Sequence, residues 1–389
     1  MYDAVIVGGR VAGAATALLL ARAGARVVVL DRGAPGTDTV STHALMRGGV
    51  MQLHRWGLLP ELLAAGTPPV RRTLFHYAGD EPVQVSIRSS NGVDALYAPR
   101  RTVLDRLLVD AAASAGAEVR HGVAVTGLLT DSGRVTGVRG ATRDGRSFEV
   151  HGRVVVGADG IRSVVAEQAG ATVVRQGRAA GSVLYRYYSD LPAAGYEWCY
   201  ADQAAAGLIP TNHGEVCVFV AAAPARVRAL RSGGVEAAFE TLLATAAPSQ
   251  WHRVAQASPS GRMHGFAGVP GFVRRAGGPG WALVGDAGYF KDPITTHGLT
   301  DALRDAELLS DSLLAAWAGA VPETTALATY QSTRDALSRR LFDVTEEIAG
   351  YDWEMSRLPT LLRQVSASMT DEVEMLAGLS ADTLAPSRA

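Results

Sequence analysis

The sequence predicts an α/β fold: a nucleotide-binding domain with a parallel sheet, an inserted and mainly antiparallel second sheet, and helices toward the C-terminal end. Three observations predict it. A strand–helix–strand pattern opens the chain, a strand ending in Gly-Asp leads into a helix more than 250 residues later, and a strand-rich, aromatic block lies between the two. The same observations indicate where a ligand binds.

The first 31 residues have the pattern of a βαβ unit. Residues 2–7 are too apolar for a strand with one exposed face, residues 11–23 form a helical stretch of small residues, and residues 26–30 give a second strand. That strand ends at Asp31, 18 positions after Gly13. In such units the acid accepts hydrogen bonds from ribose hydroxyls while the helix N-terminus faces a pyrophosphate. The order of these features predicts a dinucleotide site.

The loop of this unit departs from the usual glycine spacing. It reads Gly8-Gly9-Arg10-Val11-Ala12-Gly13, so Arg10 stands where the second glycine of G-x-G-x-x-G belongs. That glycine normally lets the backbone approach the pyrophosphate closely. We expect Gly9 to take over part of this role and Arg10 to add a cation near the phosphates.

The middle of the chain is rich in strand patterns. Alternating residues predict strands over 72–98, and short Val-rich segments with turn signals predict hairpins over 118–156. A second strand-rich block covers residues 181–265, and one helix, at about residues 234–246, interrupts it. Aromatic residues concentrate and alternate in this block, which places some of their rings in the core or along a pocket for a flat apolar substrate.

The second informative turn is Gly285-Asp286, which follows the apolar run 281–284 and leads into a helical pattern over 301–314. Such a turn can place a carboxylate and free backbone N–H groups beside a ligand. A ligand that touches both this turn and the N-terminal loop is long, which favours FAD over NAD alone. The predicted Rossmann-like FAD-binding domain comprises residues 1–72, 98–178 and 270–389, and the predicted substrate domain comprises residues 73–97 and 179–269.

Composition excludes several classes of function. The 389 residues suit two domains, and a net charge of −1 gives no sign of a nucleic-acid-binding surface. No apolar run reaches about 18 residues, the length of a membrane helix. The two cysteines, Cys199 and Cys217, suggest neither a disulfide framework nor a metal site. We expect a cytoplasmic protein with no metal, no nucleic-acid partner and no membrane partner; the sequence leaves its oligomeric state open.

With these segments identified, the chain resembles the para-hydroxybenzoate-hydroxylase-like flavoproteins, the single-component class A FAD monooxygenases. Their motif GDAxHxxxPxxGxGxN falls without gaps on residues 285–300, with Asp286, Pro293 and Gly298 matching. The resemblance implies that the aspartate binds the ribityl chain and that the backbone N–H groups of residues 298–300 lie near flavin N1 and O2. Tyr289 replaces the usual histidine of the motif.

Other residues extend the resemblance. Asp159 lies in the family's Asp-Gly motif, although Ala166 replaces its closing arginine, and Arg101 and Arg47 match arginines that contact FAD in such enzymes. The complete set of predicted cofactor-binding residues is Gly8, Gly9, Arg10, Gly13, Asp31, Arg32, Arg47, Arg101, Asp159, Asp286, Pro293, Gly298, Leu299 and Thr300.

The resemblance implies an FAD-dependent monooxygenase. In such enzymes NAD(P)H, as co-substrate, reduces the flavin, O₂ adds to give a C4a-hydroperoxide, and the substrate takes up one oxygen atom. The substrate is expected to be a small aromatic or polyketide-like secondary metabolite. The sequence identifies no covalent catalyst; Arg10, His297 and Lys291, the only lysine of the chain, are the candidates for a catalytic side chain.

Two alternatives stay open. One is an FAD-dependent reductase or dehydrogenase similar to geranylgeranyl reductases, which would act without consuming O₂. The other is a flavoprotein in which FAD is structural while the second domain binds or cyclises a ligand. A halogenase is disfavoured because the W-x-W-x-I-P segment of tryptophan-type members is missing.

Overall fold

The computed structural model describes residues 1–78 and 81–378. The predicted domain segments 73–97 and 270–389 thus include positions 79–80 and 379–389, which lie outside the described residues. The helices are α1 Val11–Arg22, α2 Arg47–Arg55, α3 Leu59–Ala64, α4 Arg101–Ser114, α5 Val164–Gln168, α6 Pro224–Leu230, α7 Val235–Ala246, α8 Pro248–Val254, α9 Gly298–Trp317, α10 Glu323–Ile348 and α11 Leu358–Gly378. 

The strands of the first half are β1 Tyr2–Val7, β2 Val27–Asp31, β3 Arg72–Tyr77, β4 Val83–Ser86, β5 Glu118–His121, β6 Val123–Asp131, β7 Arg134–Thr142, β8 Ser147–Gly157 and β9 Val173–Gln176. Those of the second half are β10 Ser182–Ser189, β11 Tyr196–Ala201, β12 Ala204–Pro210, β13 Val216–Ala222, β14 Ser258–Phe266, β15 Phe272–Arg274, β16 Gly277–Gly278, β17 Trp281–Leu283 and β18 Tyr289–Phe290.

The first sheet has a parallel core with the strand order β17-β8-β1-β2-β5. The antiparallel strand β16 extends it at one edge, and the β6–β7 hairpin joins it through β8. The central strands β1 and β2 are almost fully buried, which explains why their sequences are continuous apolar runs. Helices α1, α4 and α9 contribute to the core that covers one face of this sheet.

The second sheet has seven strands in the order β14-β10-β13-β12-β11-β3-β4. Five of its six pairings are antiparallel, and β11 with β3 is parallel. One face packs against α6–α8, where the sequence had predicted only the central helix; α6 and α8 are short and begin with proline, a favoured first residue of a helix. The fold class predicted from the sequence is confirmed.

None of the helices within the described ranges is long and apolar enough to cross a membrane.

Two carboxylates hold residues 177–181, the segment that leads from a small three-stranded sheet, β18-β15-β9, to the second sheet. Glu346 of α10 accepts hydrogen bonds from two backbone N–H groups of this segment, at 2.6 and 3.2 Å. Asp292 accepts from the backbone N–H groups of Gly181, at 2.5 Å, and of Ile294, at 2.9 Å. Burial raises the pKa of Asp292 to about 7. The connection between the sheets therefore depends on a carboxyl group that titrates near neutrality.

We expect ionisation of Asp292 to make the stability of the fold depend on pH. The folded-state pKa of about 7 lies above the ordinary value of 3.8, so the folded protein retains a proton that the unfolded chain has released. Its contribution to the free energy of unfolding is thus fully present below pH 3.8 and is lost as the pH rises through about 7. In Asp292→Asn this part of the pH dependence, on the order of a few kcal/mol, should disappear.

Urea unfolding between about pH 5 and about pH 8 measures this contribution. The control is Asp144→Asn, because Asp144 is exposed in a hairpin. The control should keep the wild-type pH dependence and Asp292→Asn should flatten it. A wild-type slope in Asp292→Asn would contradict the assignment.

Candidate functional site

The three glycine-containing turns singled out in the sequence meet at one place. A Cβ atom at Gly8 would lie 2.4 Å from the carbonyl oxygen of Ala158, and one at Gly13 would lie 1.9 Å from the carbonyl oxygen of Gly8. A Cβ at Gly285 would lie 2.9 Å from the Cβ of Ala12. Gly8 and Gly285 also have positive φ angles, 104° and 57°, which favour glycine. The N-terminal loop and the Gly-Asp turn are therefore in van der Waals contact.

Asp31 organises the N-terminal part of the site. Its two carboxylate oxygens accept hydrogen bonds from the backbone N–H groups of Gly9 and Gly33, each at 2.6 Å. Each carboxylate oxygen has a further lone pair, so the group can still accept hydrogen bonds from a ligand. Next to it opens a cavity of about 460 Å³, lined among others by Gly9, Asp31 and His121. His121 has a buried Nδ1 without a hydrogen-bond partner.

Arg10 points its guanidinium group along this cavity. It donates to the carboxylate of Asp105 at 2.8 Å and to the backbone carbonyl of Thr37 at 2.6 Å. Arg101 donates to the same carboxylate at 2.8 Å, so Asp105 is held between two cations. No side-chain hydrogen bond caps the N-terminus of α1 at Arg10. A helix N-terminus and a guanidinium group thus flank the cavity, which favours an anionic ligand.

Asp286 belongs to the Gly-Asp turn between β17 and β18, and its side chain is exposed to solvent. The surrounding protein, together with the neighbouring carboxylate of Asp301, raises the pKa of Asp286 to about 6, while Lys291 and Arg101 oppose the shift. Asp286 therefore has charged groups of both signs near it and stays open to a ligand.

The N-terminus of α9 is the second exposed helix start at the site. Gly298 is exposed, Leu299 is half-buried and Thr300 is buried, with its Oγ1 accepting from the backbone N–H of Met46 at 3.2 Å. No side chain caps this helix. Pro293 begins a short 3₁₀ turn ahead of it. The first N–H groups of α9 can therefore bind a negatively charged group of a ligand.

Three predicted cofactor-binding residues have other surroundings. Arg47 donates to the backbone carbonyls of Arg88 and Val93, at 2.7 and 3.1 Å, and so fixes a loop. Asp159 accepts from Ser163 Oγ at 2.5 Å and from a backbone N–H of α5 at 2.7 Å, which is the geometry of a helix cap. Arg32 is exposed. Their contacts with FAD stay predictions.

The catalytic candidates Lys291 and His297 are both buried and both pair with Asp301. Ligand atoms of His297, Asp301 and Glu372 lie within 4.8 Å of one another. Lys291 and Arg304 already neutralise these carboxylates, so we interpret the group as ion pairs and not as a metal site. Arg10, the third candidate, lines the cavity.

An aromatic face of the second sheet packs near the segment that follows the Gly-Asp turn. Tyr185 stacks on His264 with a centroid distance of 4.8 Å, and the ring of Tyr187 lies 3.6 Å from the guanidinium carbon of Arg100. Ile294, one residue beyond Pro293, belongs to the same core as these rings. The core contains six large aromatic side chains of this face: Tyr185, Tyr187, Tyr196, Trp198, Tyr200 and Phe219.

The residues at the site that were missed from the sequence include Asp105 and Glu372. Asp105 lies on α4 between the buried residues Leu104 and Leu108. Glu372 falls on the buried stripe of α11, where Leu361, Val365, Ser368, Glu372 and Leu376 recur at helical spacing. A charged residue on a buried apolar stripe needs a partner of opposite charge. This pattern in the sequence could have predicted a buried ion pair at Glu372.

The residues of the site fit FAD. The glycines leave room only for backbone near Ala158, Asp31 keeps free acceptor capacity beside a cavity, and no side chain caps the N-termini of α1 and α9. These are the features that a dinucleotide with a pyrophosphate requires.

Comparison with known proteins supports this assignment. Residues 1–345 match the family FAD_binding_3, described as an FAD binding domain. Protein FixC of Salmonella typhimurium is 33% identical over 183 residues, which covers 44% of this chain and 40% of FixC. The matched part thus spans about two fifths of the length of FixC. Digeranylgeranylglycerophospholipid reductase of Methanosarcina mazei is 25% identical over 335 residues, which covers 80% of this chain and 74% of the reductase.

Solved structures share the fold over nearly the whole chain. The flavin-dependent brominase Bmp2 superposes with a TM-score of 0.81 at 18% identity, covering 97% of this chain and 94% of Bmp2. PqsL of P. aeruginosa, in complex with 2-aminobenzoylacetate, superposes with a TM-score of 0.79 at 23% identity, covering 93% of this chain and 99% of PqsL. The resemblance predicted from the motifs is confirmed: this chain belongs to the FAD-binding domain family of flavin-dependent oxidoreductases.

Proposed function

We propose that the protein is an FAD-dependent monooxygenase that hydroxylates or epoxidises a small aromatic or polyketide-like substrate, with NAD(P)H as the source of electrons. The observation that carries this proposal is the contact between the aromatic face of the second sheet and the Gly-Asp segment through Ile294. It brings an aromatic core, whose rings are each at most 7% exposed, next to the segment that follows the Gly-Asp turn. A flat apolar substrate would bind along this core, close to the flavin. The structure of PqsL with a bound aromatic compound is consistent with this substrate class.

In this proposal FAD extends from the N-terminal loop to the Gly-Asp turn. Asp31 binds the adenosine ribose, the N-terminus of α1 and Arg10 face the pyrophosphate, and Asp286 binds the ribityl chain. The flavin ring would bind beside Gly298 at the start of α9, where the uncapped helix N–H groups could donate to N1 and O2. A helix N-terminus stabilises an anion by ~0.3–1 kcal/mol, and by up to ~2 kcal/mol when partly buried. This arrangement favours the reduced, negatively charged form of the cofactor.

The protein's own contribution to the reaction is positioning. FAD, when reduced by two electrons from NAD(P)H, supplies the chemistry that splits O₂, so that one oxygen atom enters the substrate and the other leaves as water. The aromatic face orients the substrate and excludes water, and the start of α9 provides the field at the ring edge. Lys291 and His297 are buried in ion pairs, so neither is assigned a proton-transfer role toward the substrate.

A reductase of carbon–carbon double bonds is the second candidate. The observation in its favour is the match to the Methanosarcina mazei reductase, which extends over 80% of this chain. Such an enzyme would transfer two electrons and two protons to the substrate without O₂.

The decisive experiment follows the fate of ¹⁸O₂. The FAD-loaded protein receives NADH or NADPH and one aromatic compound at a time, beginning with 2-aminobenzoylacetate. We expect at least one compound of this class to give a product with one ¹⁸O atom and to speed NAD(P)H consumption. Peroxide release with every compound and no labelled product would argue against oxygenation, and an anaerobic product with two added hydrogens would support the reductase.

Arg10→Gln should weaken FAD binding. The substitution removes a cation beside the pyrophosphate and frees Thr37 and Asp105 from their shared donor. Because a hydrogen bond to a charged group contributes roughly 1.5–3 kcal/mol, we expect the dissociation constant to rise about tenfold or more. Flavin fluorescence during titration of the apoprotein measures it.

The matched control is Arg106→Gln. Arg106 lines the same cavity but pairs with Asp110 at 3.4 Å on the exposed side of α4. Equal FAD affinities for the two variants would leave Arg10 without the proposed role.

A further inference from the structure

A buried charge cluster lies directly behind the N-terminus of α9. We define it as Lys291, His297, Asp301, Arg304, Asp305 and Glu372. Each of the six residues is at most 6% exposed. Burying so many charges away from water is costly unless they neutralise one another, so the cluster constrains its own protonation.

Asp301 and Arg304 form the centre of the cluster. Asp301 accepts from Arg304 at 2.9 Å and from His297 Nδ1 at 3.1 Å, and it also pairs with Lys291. Arg304 further donates to Glu372 at 2.8 Å. Lys291 and Arg304 can only donate, so their contacts hold the Asp301 carboxylate in its ionised form.

Asp305 is ionised for the same reason. It accepts from Arg304 at 2.8 Å and from the backbone N–H of Gly285 at 3.2 Å. Burial raises the pKa of Asp305 even though Arg304 and Arg334 act in the opposite direction. We assign the carboxylate as ionised because each of its hydrogen-bond partners is a donor. The contact with Gly285 ties the cluster to the Gly-Asp turn as well as to α9.

His297 stands between two carboxylates. Its Nδ1 faces Asp301, and its Nε2 lies 2.9 Å from Glu372 Oε2. Neither Nε2 nor Oε2 has a hydrogen-bond partner of good geometry, so their attraction depends on charge. A neutral imidazole carries one N–H and would turn a lone pair toward one of the carboxylates. Burial acts to raise the pKa of Glu372, but His297 and Arg304 lower it below its ordinary value. Between two ionised carboxylates only the imidazolium form can donate to both.

The charge balance of the six residues also indicates that His297 is protonated. Lys291 and Arg304 contribute two positive charges, and Asp301, Asp305 and Glu372 contribute three negative ones. Only a protonated His297 makes the cluster neutral. Burial alone would lower the pKa of His297, but Glu372 and Asp301 outweigh it, and the pKa is raised.

We propose that His297 is a permanently protonated positioning residue of the flavin site and that Glu372, on the C-terminal helix α11, holds it in this state. His297 immediately precedes Gly298, the exposed first residue of α9. Its charge adds to the positive end of the helix, and Glu372 makes α11 part of the site. The inference rests on the proposed position of the flavin ring at this helix start.

The test is a charge-compensation series in the FAD-loaded protein, read out as the midpoint potential of the flavin. His297→Gln leaves the cluster with one excess negative charge, so reduced FAD should lose roughly tenfold in affinity relative to oxidised FAD, about 30 mV for a two-electron couple. In the double variant His297→Gln/Glu372→Gln the cluster is neutral again, so most of the decrease in midpoint potential should be reversed. Asp371→Asn is the control, because Asp371 precedes Glu372 but pairs with Arg340 in an exposed position.

A wild-type potential in His297→Gln, or a double variant no closer to wild type than the single one, would overturn the proposal. NMR of ¹⁵N-labelled wild-type histidines tests it without any substitution. We expect both ring nitrogens of His297 to carry protons at neutral pH; a neutral imidazole there would refute it. Neither readout requires oxygenation, so failure of the ¹⁸O₂ experiment and failure of this inference are distinguishable.

Discussion

The close approach of two backbone turns from opposite ends of the chain determines the rest of this structure. Gly285 lies against Ala12, and Gly8 and Gly13 lie against Ala158, at distances where any added Cβ would clash. Because no side chain fits there, the loop before α1 and the Gly-Asp turn pack directly against each other. In the proposed function a long ligand, with phosphates at one end and a polar ring at the other, binds to the starts of both α1 and α9.

Bringing the helix starts together also brings charges together, and the protein neutralises them internally. Near the start of α1, Asp105 is shared by Arg10 and Arg101. Near the start of α9, Asp301 is shared by Lys291 and Arg304. In both places a carboxylate fixes two cations that would otherwise repel one another.

Much of the fold was predictable because short stretches of sequence encode it. Apolar runs, glycine spacing and the Gly-Asp turn predicted the βαβ unit, both sheets and the region of the site. The short helices α6 and α8 were missed because seven residues carry little periodic signal. The parallel pairing of β11 with β3 and the partnership of Glu372 with His297 join residues far apart in sequence, and no local pattern records such contacts.

The most direct test of the central claim compares the binding of FAD and of ADP to the apoprotein by titration calorimetry. If both turns hold one cofactor, Asp31→Ala should weaken the binding of both ligands, whereas Asp286→Ala should weaken FAD and leave ADP unchanged. Unaltered FAD affinity in Asp286→Ala would contradict the account, since the Gly-Asp turn would then not touch the cofactor.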